Sequence, residues 1–206
     1  MYQIKEIFYT LQGEGINVGK AAVFCRFAGC NLWNGKEEDR EVADCNFCDT
    51  DFLGGTKYTR EVLVQECNSL YKALNAGKQK EKLVVLTGGE PMLQVNKELI
   101  DMFHNFSFKV CLETNGTIEV CPGVDWICVS PKAETDLVQK SGDELKLVYP
   151  QKVNPRIYED LQFKHFLLQP KDNNNLQENA QLCINYCLDN PKWRLSTQTH
   201  KSWGLR

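Results

Sequence analysis

The chain has 206 residues, 42% of them hydrophobic and 25% charged, with a net charge of −3. That is enough to bury a substantial core as one domain over residues 1–206, and the lack of a basic block excludes nucleic acid as an expected partner. No apolar run approaches a membrane span and Met1 to Glu6 has no apolar signal core, so the ten cysteines are expected in a reducing cytoplasm, where thiols bind metals or pack.

Taken in order, Ile4 to Leu11 mixes apolar and polar residues and runs into a turn at Gln12-Gly13-Glu14-Gly15. Ala21 to Phe27 is the first clear strand, ending at Gly29-Cys30. Thr59 can cap a helix with Val62, Leu63, Leu70, Tyr71 and Leu74 on one face, and Gly77 stops it. Leu83–Leu86, Phe108–Leu112, Trp126–Val129, Leu145–Tyr149, His165–Leu168 and Trp193–Ser196 read as further strands. Helices are expected through Leu99, Ile100 and Phe103 and from Leu176 to Leu188. Apolar strands alternating with helices predict a buried parallel sheet, seven strands in all. The connections from Thr114 to Asp125 and from Pro131 to Glu144 are about as short as a crossover permits. The expected fold is therefore α/β, a partial β/α barrel that has lost some helices.

The polar chemistry gathers in two places. Cys30, Cys45 and Cys48 are spaced by fourteen and two residues, and the loop between the first two holds Gly35 and five acidic residues. A C-x-x-C step lets two thiolates reach one centre, and Cys30 returns to it. No fourth ligand lies at motif spacing, and no histidine precedes His104. Structural zinc wants four protein ligands, whereas a 4Fe–4S cluster on three cysteines leaves one iron open. A redox pair, or a zinc site completed by Cys25, stays open at this point. The other seven cysteines sit mostly among apolar neighbours and read as core fillers.

The second place is the series of strand ends: Thr87-Gly88-Gly89-Glu90-Pro91, Glu113-Thr114-Asn115-Gly116, Ser130-Pro131-Lys132, Gln169-Pro170-Lys171-Asp172 and Gln198-Thr199-His200-Lys201. In a parallel β/α arrangement these ends share one face, where sites are built. Turn chemistry explains any one of them; five in series, with the cysteine loop on the same rim, predict a mouth that binds something polar.

Three cysteines followed by a strand ending in Gly-Gly-Glu-Pro resemble the radical S-adenosylmethionine enzymes. Within them the chain resembles the 7-carboxy-7-deazaguanine synthase family of queuosine biosynthesis. The matching stretches are Tyr9 to Gly15, Phe24 to Trp33, Cys48 to Phe52, Thr87 to Pro91, Glu113 to Gly116, Ser130 to Lys132 and Gln198 to Lys201. Fourteen residues between the first cysteines, where three are usual for the superfamily, is a departure that family tolerates. The resemblance implies a lyase that converts 6-carboxy-5,6,7,8-tetrahydropterin into 7-carboxy-7-deazaguanine with loss of ammonia. It implies a 4Fe–4S cluster on Cys30, Cys45 and Cys48, S-adenosylmethionine on the open iron, and Mg²⁺ at Thr50, whose alternative role is to cap a helix after the loop. It implies Leu11, Gln12, Gly13, Glu14, Arg26, Thr87, Gln169, Pro170, Lys171, Asp172 and the terminal Arg206 around the pterin. S-adenosylmethionine would be held by Phe47, Cys48, Asp49, Gly89, Glu113, Asn115, Ser130, Pro131 and Lys132, the glycines at 88 and 89 permitting close backbone approach. An electron donor, flavodoxin-like, and a homodimer are implied as partners. Two other classes share part of the pattern. An activating enzyme for a glycyl-radical protein would lack the Gln12–Glu14 and Arg26 set, and a non-catalytic zinc-binding module needs a fourth ligand.

Overall fold

The computed structural model describes residues 1–75, 81–132 and 135–205. Strands β1 (Tyr2–Leu11) and β2 (Ala21–Phe27) pair antiparallel, and the short β3 (Thr56–Tyr58) pairs with the start of β1. From β2 onward every neighbour is parallel: β4 (Lys82–Gly88), β5 (Phe108–Thr114), β6 (Trp126–Val129), β7 (Ser141–Tyr149), β8 (Gln162–Pro170) and β9 (Trp193–Leu195). The order β3-β1-β2-β4-β5-β6-β7-β8-β9 makes one nine-stranded sheet that does not close. Its seven parallel strands are the seven apolar runs legible in the sequence.

Helix α1 (Arg60–Asn75) leads into β4, α2 (Lys97–Asn105) joins β4 to β5, and α3 (Leu176–Asp189) joins β8 to β9. Among the described residues no helix lies between β5 and β6 or between β6 and β7, the expected losses. The Thr59 hydroxyl accepts the Val62 amide at 3.3 Å and starts α1. The buried face of α1 is Leu63, Val64, Cys67 and Tyr71; Val62 and Leu74, grouped with it on spacing, are exposed. Gly77, the expected stop, lies outside the described residues. A last short helix, α4 (Thr199–Ser202), follows β9. No helix of the described residues is long and apolar enough to cross a membrane.

Alternation along the strands sorts side chains between two faces. On β2, Val23, Cys25 and Phe27 pack toward α1 and α2 with Val84, Leu86, Val110 and Leu112. On β7, Leu145 and Leu147 join Phe166, Leu168, Cys183 and Trp193 in a separate cluster under α3. On the other face a smaller apolar cluster gathers Phe8, Ala22, Phe24, Leu83, Val85 and Cys111. Polar and charged groups fill much of the rest of that inner face. This explains why β1 escapes an apolar-run reading: its polar residues are built into the sheet, Glu6 standing opposite Arg26 in register.

Candidate active site

The ends of β2 and β4 are locked together. Gly89 N donates to Phe27 O at 3.2 Å and Glu90 N to Gly29 O at 2.9 Å. A Cβ on Gly89 would lie 2.0 Å from Gly29 O and 3.0 Å from Cys30 Cβ. The close approach that Gly89 permits is therefore to the chain's own backbone, and it sets Cys30 beside the end of β4. Glu90 completes the joint. Its fully buried carboxylate accepts from Met92 N (2.9 Å), Thr114 Oγ1 (2.7 Å) and Asn115 N (2.7 Å). Burial raises its pKa while these three donors oppose the rise. Asn115, fixed in this way, donates from Nδ2 to Asn31 Oδ1 at 3.0 Å, next to Cys30.

The long insertion between Cys30 and Cys45 packs on Trp33. Arg40, in the short 3₁₀ turn Glu37–Val42, stacks its guanidinium 4.2 Å from the Trp33 ring. It also donates to Cys48 O at 2.9 Å and Asn46 O at 3.1 Å, so one cation ties the insertion to the C-x-x-C step. Trp33 in turn meets Phe52 edge-on. No helix follows Thr50, which leaves it nothing to cap; Asp51 Oδ1 instead accepts from Leu53 N at 3.1 Å.

A cavity of about 450 Å³ opens at the strand ends, and Cys30, Cys45, Cys48 and Thr50 line it. So does every described residue of the expected pterin set: Leu11, Gln12, Gly13, Glu14, Arg26, Thr87 and Gln169 to Asp172. Of the residues expected around S-adenosylmethionine, Phe47, Asp49, Gly89, Glu113, Asn115, Ser130 and Lys132 line it as well. Pro131 is buried and stands outside the lining, whereas Arg206 lies outside the described residues.

The lining is joined by polar contacts. Glu113 accepts from Gln12 Nε2 at 2.9 Å and from Thr87 Oγ1 at 3.1 Å, linking the two expected sets. Arg26 Nε pairs with Glu6 at 2.9 Å. Lys132 Nζ donates to Ser130 Oγ and O, both at 2.7 Å. Glu14 forms an ion pair with Lys146 and accepts from Gln198 Nε2 at 2.9 Å. Burial works against the Glu14 charge, but Lys146 and the Gln198 contact outweigh it and hold the carboxyl at about 2.

Lys146 is the residue that apolar-run reasoning misses. It stands on β7 between Leu145 and Leu147, and the alternation Glu144-Leu-Lys-Leu-Val is the signal of a strand with one polar face. Gln198 and Lys201, visible in the sequence only as a motif, also reach the lining, through α4. Thr199 fixes that helix, donating from N (2.9 Å) and Oγ1 (2.8 Å) to Gly13 O. A Cβ on Gly13 would come within 2.3 Å of His200 Nδ1, so only glycine fits there.

The donor set suits an iron–sulfur cluster. Cys45, beside it, lowers the pKa of the Cys48 thiol to about 6, while burial raises that of Cys30. Three thiols lining one cavity would offer three ligands to a centre with one open iron. Cys25 cannot complete a zinc site there: it is fully buried on the opposite face of β2, in the core with Cys67. The zinc-module reading thereby loses the fourth cysteine considered for it.

An open parallel sheet carrying three thiols beside a Gly-Gly-Glu-Pro strand end marks a radical S-adenosylmethionine enzyme. No protein-family model matches the chain. It is 53% identical to the 7-carboxy-7-deazaguanine synthase of Bradyrhizobium diazoefficiens over 208 residues, 100% of this chain and 99% of that one. It is 52% identical to the synthase of the same name from Caulobacter vibrioides, over 99% of each. Among solved structures, QueE from Escherichia coli superposes with a TM-score of 0.69 at 27% identity, covering 95% of this chain and 93% of that one. The chain belongs to the 7-carboxy-7-deazaguanine synthase family.

Proposed function

We propose that the chain contracts the ring of 6-carboxy-5,6,7,8-tetrahydropterin to 7-carboxy-7-deazaguanine, releasing ammonia. The observation that carries this reading is that the three cysteines and the Gln12–Glu14 and Arg26 set line one cavity. A glycyl-radical activating enzyme would have no use for that second set. When bound, a 4Fe–4S cluster on Cys30, Cys45 and Cys48 with S-adenosylmethionine supplies the radical that removes a substrate hydrogen.

The protein's part is to bind, orient and exclude water. Arg26 offers a planar fork for the pterin carboxylate, and Glu14 an acceptor for ring N–H groups. Glu113, bonded to Gln12 and Thr87, holds the boundary between the two ligands. Asn115, Ser130 and Lys132 provide polar groups for S-adenosylmethionine, beside Phe47 and Asp49. Mg²⁺ at Thr50 takes one hydroxyl from the protein, so the substrate carboxylate must supply charge. A one-electron donor of the flavodoxin type, a homodimeric assembly and a cytoplasmic setting belong to the same reading.

The test is anaerobic incubation of reconstituted protein with the tetrahydropterin and S-adenosylmethionine, followed by mass analysis. Product that appears only with all three components supports the reading. A protein with full iron content that cleaves S-adenosylmethionine but leaves the pterin intact overturns it.

A further inference from the structure

The floor of the cavity is a buried charge cluster with one cation. Lys146, 6% exposed at its side chain, bonds Glu14 Oε2 from β7. Glu113 faces it from β5, Cys128 from β6 and Glu144 from its own strand. His200 on α4 acts on Glu14 from the far side, and Asp49 is reached through Gln198. Glu144 is already engaged, its Oε2 accepting from Ile16 N at 2.8 Å. Three carboxylates thus act on one ammonium, of which Glu14 alone bonds it.

We propose that Lys146 is the positioning residue that keeps Glu14 a fixed, ionised acceptor, making this floor selective for a ligand whose buried edge presents only N–H donors. A carboxyl this deeply placed, without a cation, takes up a proton. A protonated Glu14 would turn an O–H toward the ring N–H groups and lose an acceptor. Lys146 occupies one carboxylate oxygen and Gln198 the other, so the group is also fixed in rotation. Each oxygen keeps a further lone pair for the ligand. The claim deepens the pterin reading and rests on it for the identity of the donor edge.

The experiment compares reconstituted wild-type, Lys146→Met, Lys146→Arg and Lys146→Met/Glu14→Gln enzymes. Tetrahydropterin binding is followed anaerobically between pH 6 and 8.5, with KM and kcat from turnover. Iron content and S-adenosylmethionine cleavage without pterin report whether the rest of the site survives, which a merely structural lysine would put at risk. The wild-type affinity should be flat across this range. In Lys146→Met, Kd and KM should rise as pH falls, approaching tenfold per pH unit below the new Glu14 pKa, with kcat changing less. Lys146→Arg should restore the flat profile, and the double variant should bind weakly at every pH. Flat, wild-type affinity in Lys146→Met, or tight binding by the double variant, overturns the proposal.

If Lys146→Met does not load iron, Lys146→Gln, which keeps a donor without the charge, is judged by the same profile. If wild-type enzyme binds no pterin, the functional reading fails. Lys146 is then judged from the Glu14 carboxyl carbon by ¹³C NMR, assigned with Glu14→Gln. That signal should titrate in Lys146→Met and stay still in wild type, and an unmoved signal in both overturns the claim.

Discussion

Lys201 Nζ lies 2.7 Å from Asp49 Oδ2, joining the last helix of the chain to the residue that follows the third cysteine. The same ammonium pairs with Asp172 beyond β8. With Gln198 bonded to both Glu14 and Asp49, the segment forms a polar clasp over the cavity mouth.

Removing that clasp should weaken substrate retention without harming the fold. Lys201 and Asp49 are 40% and 47% exposed, so each ion pair contributes at most about 1 kcal/mol. Lys201→Met should raise KM for the pterin about two- to fivefold, with iron content unchanged and the melting temperature lower by a few degrees at most. Added salt should raise KM in wild type and not in the variant, because exposed pairs are screened. A KM that is unchanged and still salt-sensitive counts against the clasp.

The three cysteines of the loop at the rim and the core cysteine Cys67 should respond differently to removal. Cys30→Ala, Cys45→Ala and Cys48→Ala should each lose bound iron and S-adenosylmethionine cleavage, since two thiolates do not hold the centre. Cys67→Ala, a fully buried change on α1, should cost about 1 kcal/mol of stability and leave iron intact. Iron analysis beside urea denaturation separates the two outcomes, and a Cys30→Ala protein with full iron and activity would refute the assignment.

Magnesium should bind only with substrate. One threonine hydroxyl is a weak ligand for a hard cation that retains its waters. Exhaustive removal of divalent ions should slow turnover, and Thr50→Ala should raise the magnesium concentration needed to restore it. Full activity in chelated enzyme would exclude a metal at Thr50.

Glu90 is expected to matter more for stability than any residue on the rim. Glu90→Ala leaves three buried donors without an acceptor, at a cost of about 3 kcal/mol or more. Glu90→Gln, which keeps an acceptor oxygen, should cost less. Urea midpoints of both variants give the comparison, and equal losses would show that the acceptor is immaterial.

What the sequence reveals follows from how each feature is made. The seven parallel strands are apolar on their helix-facing side and carry further apolar residues on the other, so they appear as runs. The cysteine spacing and strand-end motifs are local, and they converge on one cavity as their order implies. Strand β1 and Lys146 are harder to see because their polar groups face an interior, and hydropathy cannot tell that from solvent. The packing of the insertion rests on Arg40 over Trp33, a tertiary contact with no periodic signature. The tail packs against the site although Trp203 and Leu205 stay 48% and 38% exposed, because backbone and side-chain hydrogen bonds at Thr199 and Gln198 hold it. The expected contact of the terminal Arg206 lies outside the described residues.

The division of the helix-facing interior into two clusters has a mechanical consequence. β6 meets β7 through only two register pairs, Cys128 with Glu144 and Val129 with Leu145. The larger core lies to one side of this seam, under β2, β4 and β5, and the α3 core lies on the other. Glu14 comes from the first side and Lys146 from the second, so their ion pair crosses the seam and a ligand seated on it would touch both half-shells. A substrate bound there should act as a tie-rod: at a hundred times its dissociation constant it would stabilise the whole by about 2.7 kcal/mol. Amide exchange along the thin seam should slow more than in either core, so that loading the cavity is also what makes two half-shells behave as one body.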